Sequence, residues 1–347
     1  MEFLSIICYL VLAAGVVFFS VKLSDYIDLL DKKTSISGAF LGGILLAAVT
    51  SLPELFTSLT AVVILPTPNN HYVLGNILGS NAFNLILFFF VFAVFFKKLV
   101  NAKVGKAHLI TISITAVMYV VTTVASIVFN GFGLLWGWFN PLSLAIAAVY
   151  VFSIIKTPKT EEAEVDEDEV ESPLTVKQIV IRFVIFAILL IAASITITYV
   201  VDWISGLFNL GATFGGALFL GVATSLPEAT ATFNLCRKKN FNAAYGNILG
   251  SGVFNFFILA LADALSFRCG TGIFAMDQSA LFLICSAILS MIIVVVLTVI
   301  QIKGLVKQNI VWRIIYFAGA LLIIGGYFTA LVLSNINLGI SWAPLIA

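Results

Sequence analysis

The sequence predicts an all-α polytopic membrane protein of ten transmembrane helices, arranged as two inverted five-helix repeats. Three observations predict this: composition, run length and an internal duplication. Hydrophobic residues make up 61% of the 347-residue chain and charged residues 10%, a balance more apolar than a soluble domain of this length can bury. Runs near the roughly 20 apolar residues that cross a bilayer recur along the whole chain. The segment Thr50-Ser51-Leu52-Pro53-Glu54 returns letter for letter as Thr224-Ser225-Leu226-Pro227-Glu228, and each copy is followed by Gly-Asn-Ile-Leu-Gly-Ser.

The apolar runs place spans at 3–23, 37–64, 72–96, 108–128, 133–155, 178–201, 212–235, 242–265, 278–301 and 311–334. The first lacks a basic start and a small-residue cleavage site, so it is expected to stay as a span and not to leave as a signal peptide. The second carries the first Thr-Ser-Leu-Pro-Glu motif, and the third carries Gly75 to Ser80 and Asn84. The fourth and fifth complete a first repeat over residues 1–155. Residues 156–177 form the one strongly hydrophilic stretch, with Glu161, Glu162, Glu164, Asp166, Glu167, Asp168, Glu169 and Glu171 crowded together. Such a like-charge run reads as a solvated cytoplasmic linker. A regulatory cation-binding role is conceivable, but the run lacks the ligand spacing and turn glycine of an EF-hand. Residues 178–347 form the second repeat, with its motif in the seventh span and Gly246 to Ser251 and Asn255 in the eighth.

Orientation follows from the basic residues, which accumulate in cytoplasmic loops. Lys22, Lys32 and Lys33 flank the first connection, Lys97, Lys98, Lys103 and Lys106 the third, and Lys156, Lys159, Lys177 and Arg182 the fifth. Arg237, Lys238 and Lys239 flank the seventh, and Lys303, Lys307 and Arg313 the ninth; Arg268 is the sole basic residue on the other side. Both termini are therefore expected to be extracytoplasmic, in a multi-pass protein of the plasma membrane. Five spans per repeat is an odd number, so the second repeat crosses in the opposite sense and sets the two motif helices antiparallel, face to face near the midplane.

The motif itself points to a hard cation. A carboxylate inside a span is expensive and marks an ion pathway. Pro53 and Pro227 lack the N–H that would bond Val49 and Ala223, and freed carbonyls become ligands. Thr50, Ser51, Thr224 and Ser225 place hydroxyls within a turn of Glu54 and Glu228, so each half offers the oxygen types that calcium or sodium prefers. Two glutamates balance one divalent ion. An empty site leaves two carboxylates at low dielectric unless monovalent cations, protons or water relieve them, which is the physical basis of exchange.

Ser80 and Asn84 share one helical face, as do Ser251 and Asn255, and their oxygens extend the candidate shell. Asn76 and Asn247 lie one turn earlier and suit either capping or ligation. Gly75, Gly79, Gly246 and Gly250 have the spacing of close helix packing.

These residues resemble the calcium/cation antiporter superfamily, which includes the sodium/calcium exchangers. The resemblance covers both repeats, from about Gly38 to Asn84 and from about Gly211 to Asn255. It implies alternating access by sliding of the first and sixth spans against the other eight, with Glu54, Asn84, Glu228 and Asn255 lining the central site. It further implies flanking oxygens for sodium from Thr50, Ser51, Ser80, Thr224, Ser225 and Ser251, with the carbonyls of Ala47 and Gly221 facing the ion path. The chain departs from the family pattern at Val49 and Ala223, where glycine is common, and at Gly252, where a polar residue is usual and Asn81 stands in the first copy. With asparagine at both 84 and 255, a potassium-dependent subtype is disfavoured.

The expectation is therefore an antiporter exchanging Ca2+ for Na+, with Ca2+/H+ exchange as the same-fold alternative. Inverted repeats suit alternating access better than a continuous channel or an inert scaffold. No nucleophile with a base partner is evident, so an enzyme is not expected. No cofactor, nucleotide or nucleic-acid motif appears, so the partners expected are the transported ions and the lipid bilayer. The driving force is expected to be an ion gradient or the membrane potential, worth about 2.3 kcal/mol per charge per 100 mV. His71 and His108 are expected in loops or at interfaces. Cys8, Cys236, Cys269 and Cys285 show no paired spacing. Asp202, Asp263 and Asp277 fall near span ends and read as solvated carboxylates, and the tryptophans as an interfacial belt. Oligomeric state is not readable.

Overall fold

A computed structural model describes residues 2–33, 46–102, 107–128, 137–156, 173–237, 239, 241–270, 272–274, 278–307 and 309–335. The secondary-structure elements among the described residues are all helices, with no strand among them. Gly38, where the first repeat's resemblance begins, the acidic run from Glu161 to Glu171, Asp277, Trp136 and Trp342 lie outside them.

Helix α1 (Glu2–Lys33) is followed by two short helices, α2 (Leu46–Thr50) and α3 (Leu52–Leu59), and by α4 (Asn70–Val94), α5 (Phe96–Leu99), α6 (Ala107–Val128) and α7 (Leu142–Lys156). The second half contains α8 (Val176–Phe208), α9 (Ala212–Gly215), α10 (Gly221–Arg237), α11 (Phe241–Leu265), α12 (Gln278–Ile302) and α13 (Ile310–Asn335). Seven of these helices are long and apolar enough to cross a membrane, and the shorter apolar helices Leu52–Ile64 and Leu142–Ile155 accompany them.

Local chemistry sets several boundaries. Asn69 caps α4 by accepting the His71 N–H at 3.0 Å. Thr175 and Gln178 form a capping box at the start of α8, each side chain accepting the other's backbone N–H, which satisfies two donors a first turn leaves free. Asn209 closes α8 in the left-handed region at φ 51, a conformation asparagine tolerates better than most residues. Helix α7 begins at Leu142, not near 133 as hydropathy suggests, because Gly137 at φ +81 and Pro141 punctuate the segment before it.

Burial grades the helices by position. The hydrophobic windows of α4 and α11 are 78% and 67% buried, whereas those of α1 and α8 are 22% buried. Helices α4 and α11 thus form the centre and contact each other, while α1 runs along α8 at the periphery. The main core threads through α4 and α11, with Tyr245 stacked on Phe92 at 4.6 Å and set edge-on to Phe88 at 5.0 Å. A separate small cluster joins Val16 and Leu23 of α1 to Leu190 and Ala193 of α8 and to Val49, just before the first motif. The outer pair therefore has an apolar seam of its own.

Two π-helical turns, Thr60–Ile64 after the first motif and Gly216–Leu220 before the second, widen the helical ladder, a distortion that often accompanies function. Side chains from other helices take their carbonyls. Tyr9 and Tyr327 donate to Phe219 and Ala217 at 2.9 and 2.7 Å. Tyr199 donates to Ile64 at 3.3 Å, and Arg268 donates to Val63. Arg268, the exception in the charge pattern, is thus held on a backbone carbonyl.

Three expectations are corrected by burial and helix continuity. Asp263 is not a solvated end residue: it is fully buried and accepts from the Asn140 N–H at 2.9 Å and the Ser143 hydroxyl at 2.7 Å, at the start of α7. His108 is also buried, its ring 5.5 Å from that of Tyr245. Pro227 does not break its helix, because α10 runs through it from Gly221 to Arg237. The irregularity lies upstream of α10, in the π turn Gly216–Leu220, and Thr224 donates back to the Leu220 carbonyl at 2.9 Å.

Candidate cation site

Glu54 and Glu228 are 0% and 1% exposed. Each motif delivers its carboxylate to the serine of the other motif. The Ser225 hydroxyl donates to Glu54 Oε1 at 3.2 Å, and the Ser51 hydroxyl donates to Glu228 Oε1 at 2.8 Å. This reciprocal exchange is what an approximate two-fold relation between the motifs requires. The first motif reaches it by interrupting its helix at Ser51, with α3 beginning at Leu52 and Pro53 in its first turn, where a missing N–H is tolerated.

The partner helices α4 and α11 brace the motifs in parallel fashion. The Asn76 amide donates to the Glu54 carbonyl at 3.2 Å and to the Thr57 and Ser58 hydroxyls at 2.9 and 3.0 Å. The Asn247 amide donates to the Glu228 carbonyl at 3.3 Å and to the Thr232 hydroxyl at 3.0 Å. Both asparagines therefore cap backbone in this structure, fixing the carbonyl of each glutamate. Ser80 stands between the halves: its hydroxyl lies 3.4 Å from Glu54 Oε1, 3.2 Å from the Gly221 carbonyl and 3.4 Å from the Thr224 hydroxyl. Thr224 also donates to Asn76 Oδ1 at 3.3 Å, and Thr50 donates to the Ala47 carbonyl at 3.2 Å.

A second group lies on α4 and α11. The Asn84 amide donates to the Ser251 hydroxyl at 3.0 Å, and the Asn255 amide donates to Asn81 Oδ1 at 2.9 Å. All twelve positions singled out above are thus placed around two bonded groups, one built on the carboxylates and one on the asparagines, with no hydrogen bond recorded between Asn84 or Asn255 and a carboxylate. Asn81 is the residue that sequence reasoning left as a mere departure; the absence of its counterpart at Gly252 was the available signal.

Close packing fixes the backbone here. A Cβ on Gly75 would meet the Thr213 carbonyl at 2.2 Å, one on Gly79 would meet Ala217 Cα at 2.6 Å, and one on Gly221 would meet the Ser80 nitrogen at 2.9 Å. The glycines of α4 are packing residues, as their spacing suggests.

The electrostatics leave a charge to be supplied. Glu54 Oε2, Glu228 Oε2, Asn84 Oδ1 and Asn255 Oδ1 are buried acceptors with no hydrogen-bond donor. Among the described residues the only ion pair is Lys22 with Asp25, at 3.2 Å on α1. Unpaired buried carboxylates and orphan acceptors are strongly disfavoured unless a cation or proton meets them. No three histidine, cysteine, aspartate or glutamate side chains cluster as a metal site among the described residues. The donor set is mixed oxygen, which suits calcium and sodium better than zinc or copper.

Comparisons with known proteins bear on the family and the fold. A family model described as sodium/calcium exchanger protein matches residues 4–156 and 180–335. The fold is similar to that of the H+/Ca2+ exchanger CAX, with a TM-score of 0.66 at 14% identity over 94% of this chain and 88% of that one. It is likewise similar to native YfkE, with a TM-score of 0.62 at 15% identity over 94% and 91%. The sodium-calcium exchanger NCX_Mj gives a TM-score of 0.56 at 16% identity over 94% and 99%. No curated protein matches the chain by sequence.

Proposed function

Since the chain belongs to the sodium/calcium exchanger family, we propose that it is a secondary-active antiporter that exchanges Ca2+ for Na+ by alternating access, with Glu54 and Glu228 as central ligands. One observation carries the reading. Two fully buried carboxylates and two asparagine carbonyls present orphan oxygens, while the described residues supply no basic side chain to neutralise them. The missing positive charge is the cargo. Ca2+ takes the four orphan acceptors, and Na+ ions use the hydroxyls of Ser51, Ser80, Thr224, Ser225 and Ser251 beside them.

In the same reading, ten passes cross the plasma membrane with both termini outside, as the basic residues direct, and the protein is a carrier and not an enzyme. The outer pair α1 and α8 slides against the remaining helices. The separate apolar seam of that pair, and its contact with Val49 at the motif, support it as the moving unit. Alternating access then requires a loaded site, because two bare carboxylates are too costly to carry through the midplane.

The test is reconstitution in calcium-loaded liposomes, with efflux followed on adding external sodium or on imposing a proton gradient. Sodium-driven efflux abolished by Glu54→Gln is the expected result. Efflux driven by protons alone assigns Ca2+/H+ exchange through the same two glutamates, and no efflux under either gradient overturns the transport reading.

A further inference from the structure

Three side-chain hydrogen bonds tie the outer pair to the helices it slides against, and they gather at one end of the bundle. On α1, the Tyr9 hydroxyl donates to the Phe219 carbonyl at 2.9 Å, in the π turn that leads into the second motif. On α8, the Tyr199 hydroxyl donates to the Ile64 carbonyl at 3.3 Å, in the π turn that follows the first motif. The third bond runs the other way. The Tyr72 hydroxyl, in the first turn of α4, donates to Asp202 Oδ1 of α8 at 3.0 Å, and the Ser205 hydroxyl of α8 interacts with the same phenol. Tyr9 lies in the first third of α1, and Tyr199, Asp202 and Ser205 lie in the last third of α8. Ile64 and Tyr72 flank the connection from the first π turn to α4.

Each π turn is also held from the other side of the boundary. Tyr327 of α13 takes the Ala217 carbonyl at 2.7 Å, two residues from Phe219, and Arg268, beyond the end of α11, takes the Val63 carbonyl beside Ile64. Both turns are therefore shared between the outer pair and the fixed helices. A slide of α1 and α8 cannot keep the bonds of Tyr9, Tyr199 and Asp202 while Tyr327 and Arg268 hold the same turns in place. We propose that Tyr9, Tyr199 and the Tyr72–Asp202 pair form a latch that closes the cation site on the side of the amino terminus, and that they act as positioning residues for the transport step. Made, the bonds hold the outer pair against both π turns, with Glu54 and Glu228 fully buried behind them; broken, they let that side open. Hydroxyls suit this task, because a single hydrogen bond contributes a small net amount, and a few of them bias a two-state element without locking it.

The latch rests on the exchange reading, and the experiment keeps the two apart. In proteoliposomes sorted by the accessibility of an amino-terminal tag, the KM for Ca2+ is measured from each side of the membrane. Apparent affinity on one side scales with the fraction of protein open to that side. Tyr9→Phe, Tyr199→Phe and Tyr72→Phe are therefore each expected to lower the KM on the amino-terminal side, by about two- to tenfold, the range of one net hydrogen bond, while the KM on the opposite side does not fall. Tyr72→Phe is expected to have the largest effect, because its acceptor is a carboxylate, and Asp202→Asn, which keeps an acceptor oxygen for Tyr72, a smaller one. A gain in apparent affinity on one side alone is not produced by loosened packing. A KM on the amino-terminal side that stays the same or rises, or one that falls equally on both sides, overturns the latch. If the wild-type protein moves no calcium, the exchange reading fails, and amide hydrogen exchange of the full-length protein in detergent still decides the latch. The double variant Tyr9→Phe with Tyr199→Phe is expected to exchange faster at residues 60–69 and 212–220 and no faster at the centres of α4 and α11; unchanged exchange at both π turns overturns it.

Discussion

The two halves of the site carry the same five-residue motif and brace it differently. Glu54 has two hydroxyls near Oε1, from Ser225 at 3.2 Å and Ser80 at 3.4 Å, whereas a single hydroxyl, that of Ser51 at 2.8 Å, is bonded to Glu228. Where Gly221 sits with no room for a Cβ against Ser80, the equivalent Ala47 carries one beside Gly250, whose own Cβ would lie 3.6 Å from it. The first motif breaks its helix at Ser51, and the second continues through Pro227 behind a π turn. Duplication therefore keeps the two carboxylates and their reciprocal serines while the packing around them diverges. Under the alternating access proposed above, the halves need not be identical; they need equal charge on each.

The strongest test of that equality is neutralisation of either carboxylate. Glu54→Gln and Glu228→Gln are both expected to lower calcium flux at least 100-fold, beyond the roughly 10–100-fold that loss of an outer-shell partner typically causes. Flux retained in one of the two variants would break the symmetry of charge. Next in size is the packing difference. Gly221→Ala forces backbone apart at Ser80 and is expected to cost about 1–3 kcal/mol, as overpacking does, read as a lower thermal midpoint in detergent. Ala47→Gly is expected to cost at most about 1 kcal/mol, the helix propensity difference. Equal losses would show that the close approach of α4 and α10 is not special to the second motif.

The parts of this arrangement legible in the sequence are those that repeat. Motif identity, its distance to Gly75–Ser80 and Gly246–Ser251, and the serine and asparagine stripes named Ser51 and Ser225 as hydroxyls beside the carboxylates, but not that each bonds the glutamate of the other motif. Residues whose role depends on a distant partner were not legible. Asp263 reads as an end residue by hydropathy, yet its partners, Asn140 just before α7 and Ser143 in its first turn, lie more than a hundred positions away. Tyr119 and His108 are ordinary members of an apolar run until α11 packs against them, through Phe256 and Tyr245 respectively. The unbroken α10 was not legible because Pro227 leaves the Ala223 carbonyl without its usual donor yet does not break the helix, while the irregularity lies upstream in the π turn. Single-sided features leave no periodic trace, and Asn81 opposite Gly252 is one of them.

Removal of the serine donors probes the carboxylates more finely. Ser51→Ala takes away the hydroxyl bonded to Glu228 Oε1, whereas Ser225→Ala leaves Ser80 beside Glu54. A hydrogen bond to a charged group contributes about 1.5–3 kcal/mol. Ser51→Ala is therefore expected to raise the calcium KM about tenfold or more, and Ser225→Ala by a smaller factor, in the same efflux assay. The reverse order would mean that Ser80 does not support Glu54.

The smallest effect expected separates the two asparagines. Asn255 depends on Asn81, since its amide donates there and its carbonyl oxygen has no donor of its own. Asn84 depends on Ser251, whose hydroxyl in turn donates to the Ile248 carbonyl at 3.1 Å. Both truncations leave one neutral donor unpaired, a loss of about 1 kcal/mol each, so Asn81→Ala and Ser251→Ala should each raise the calcium KM by only a few-fold. Their combination discriminates, because residues sharing no partner add independently. The asparagines share no bond in this arrangement, so the double variant should show the product of the two single effects. A double variant no worse than either single one would mean that Asn84 and Asn255 act on the ion as one unit, and the asymmetry between the halves would then end at the carboxylates.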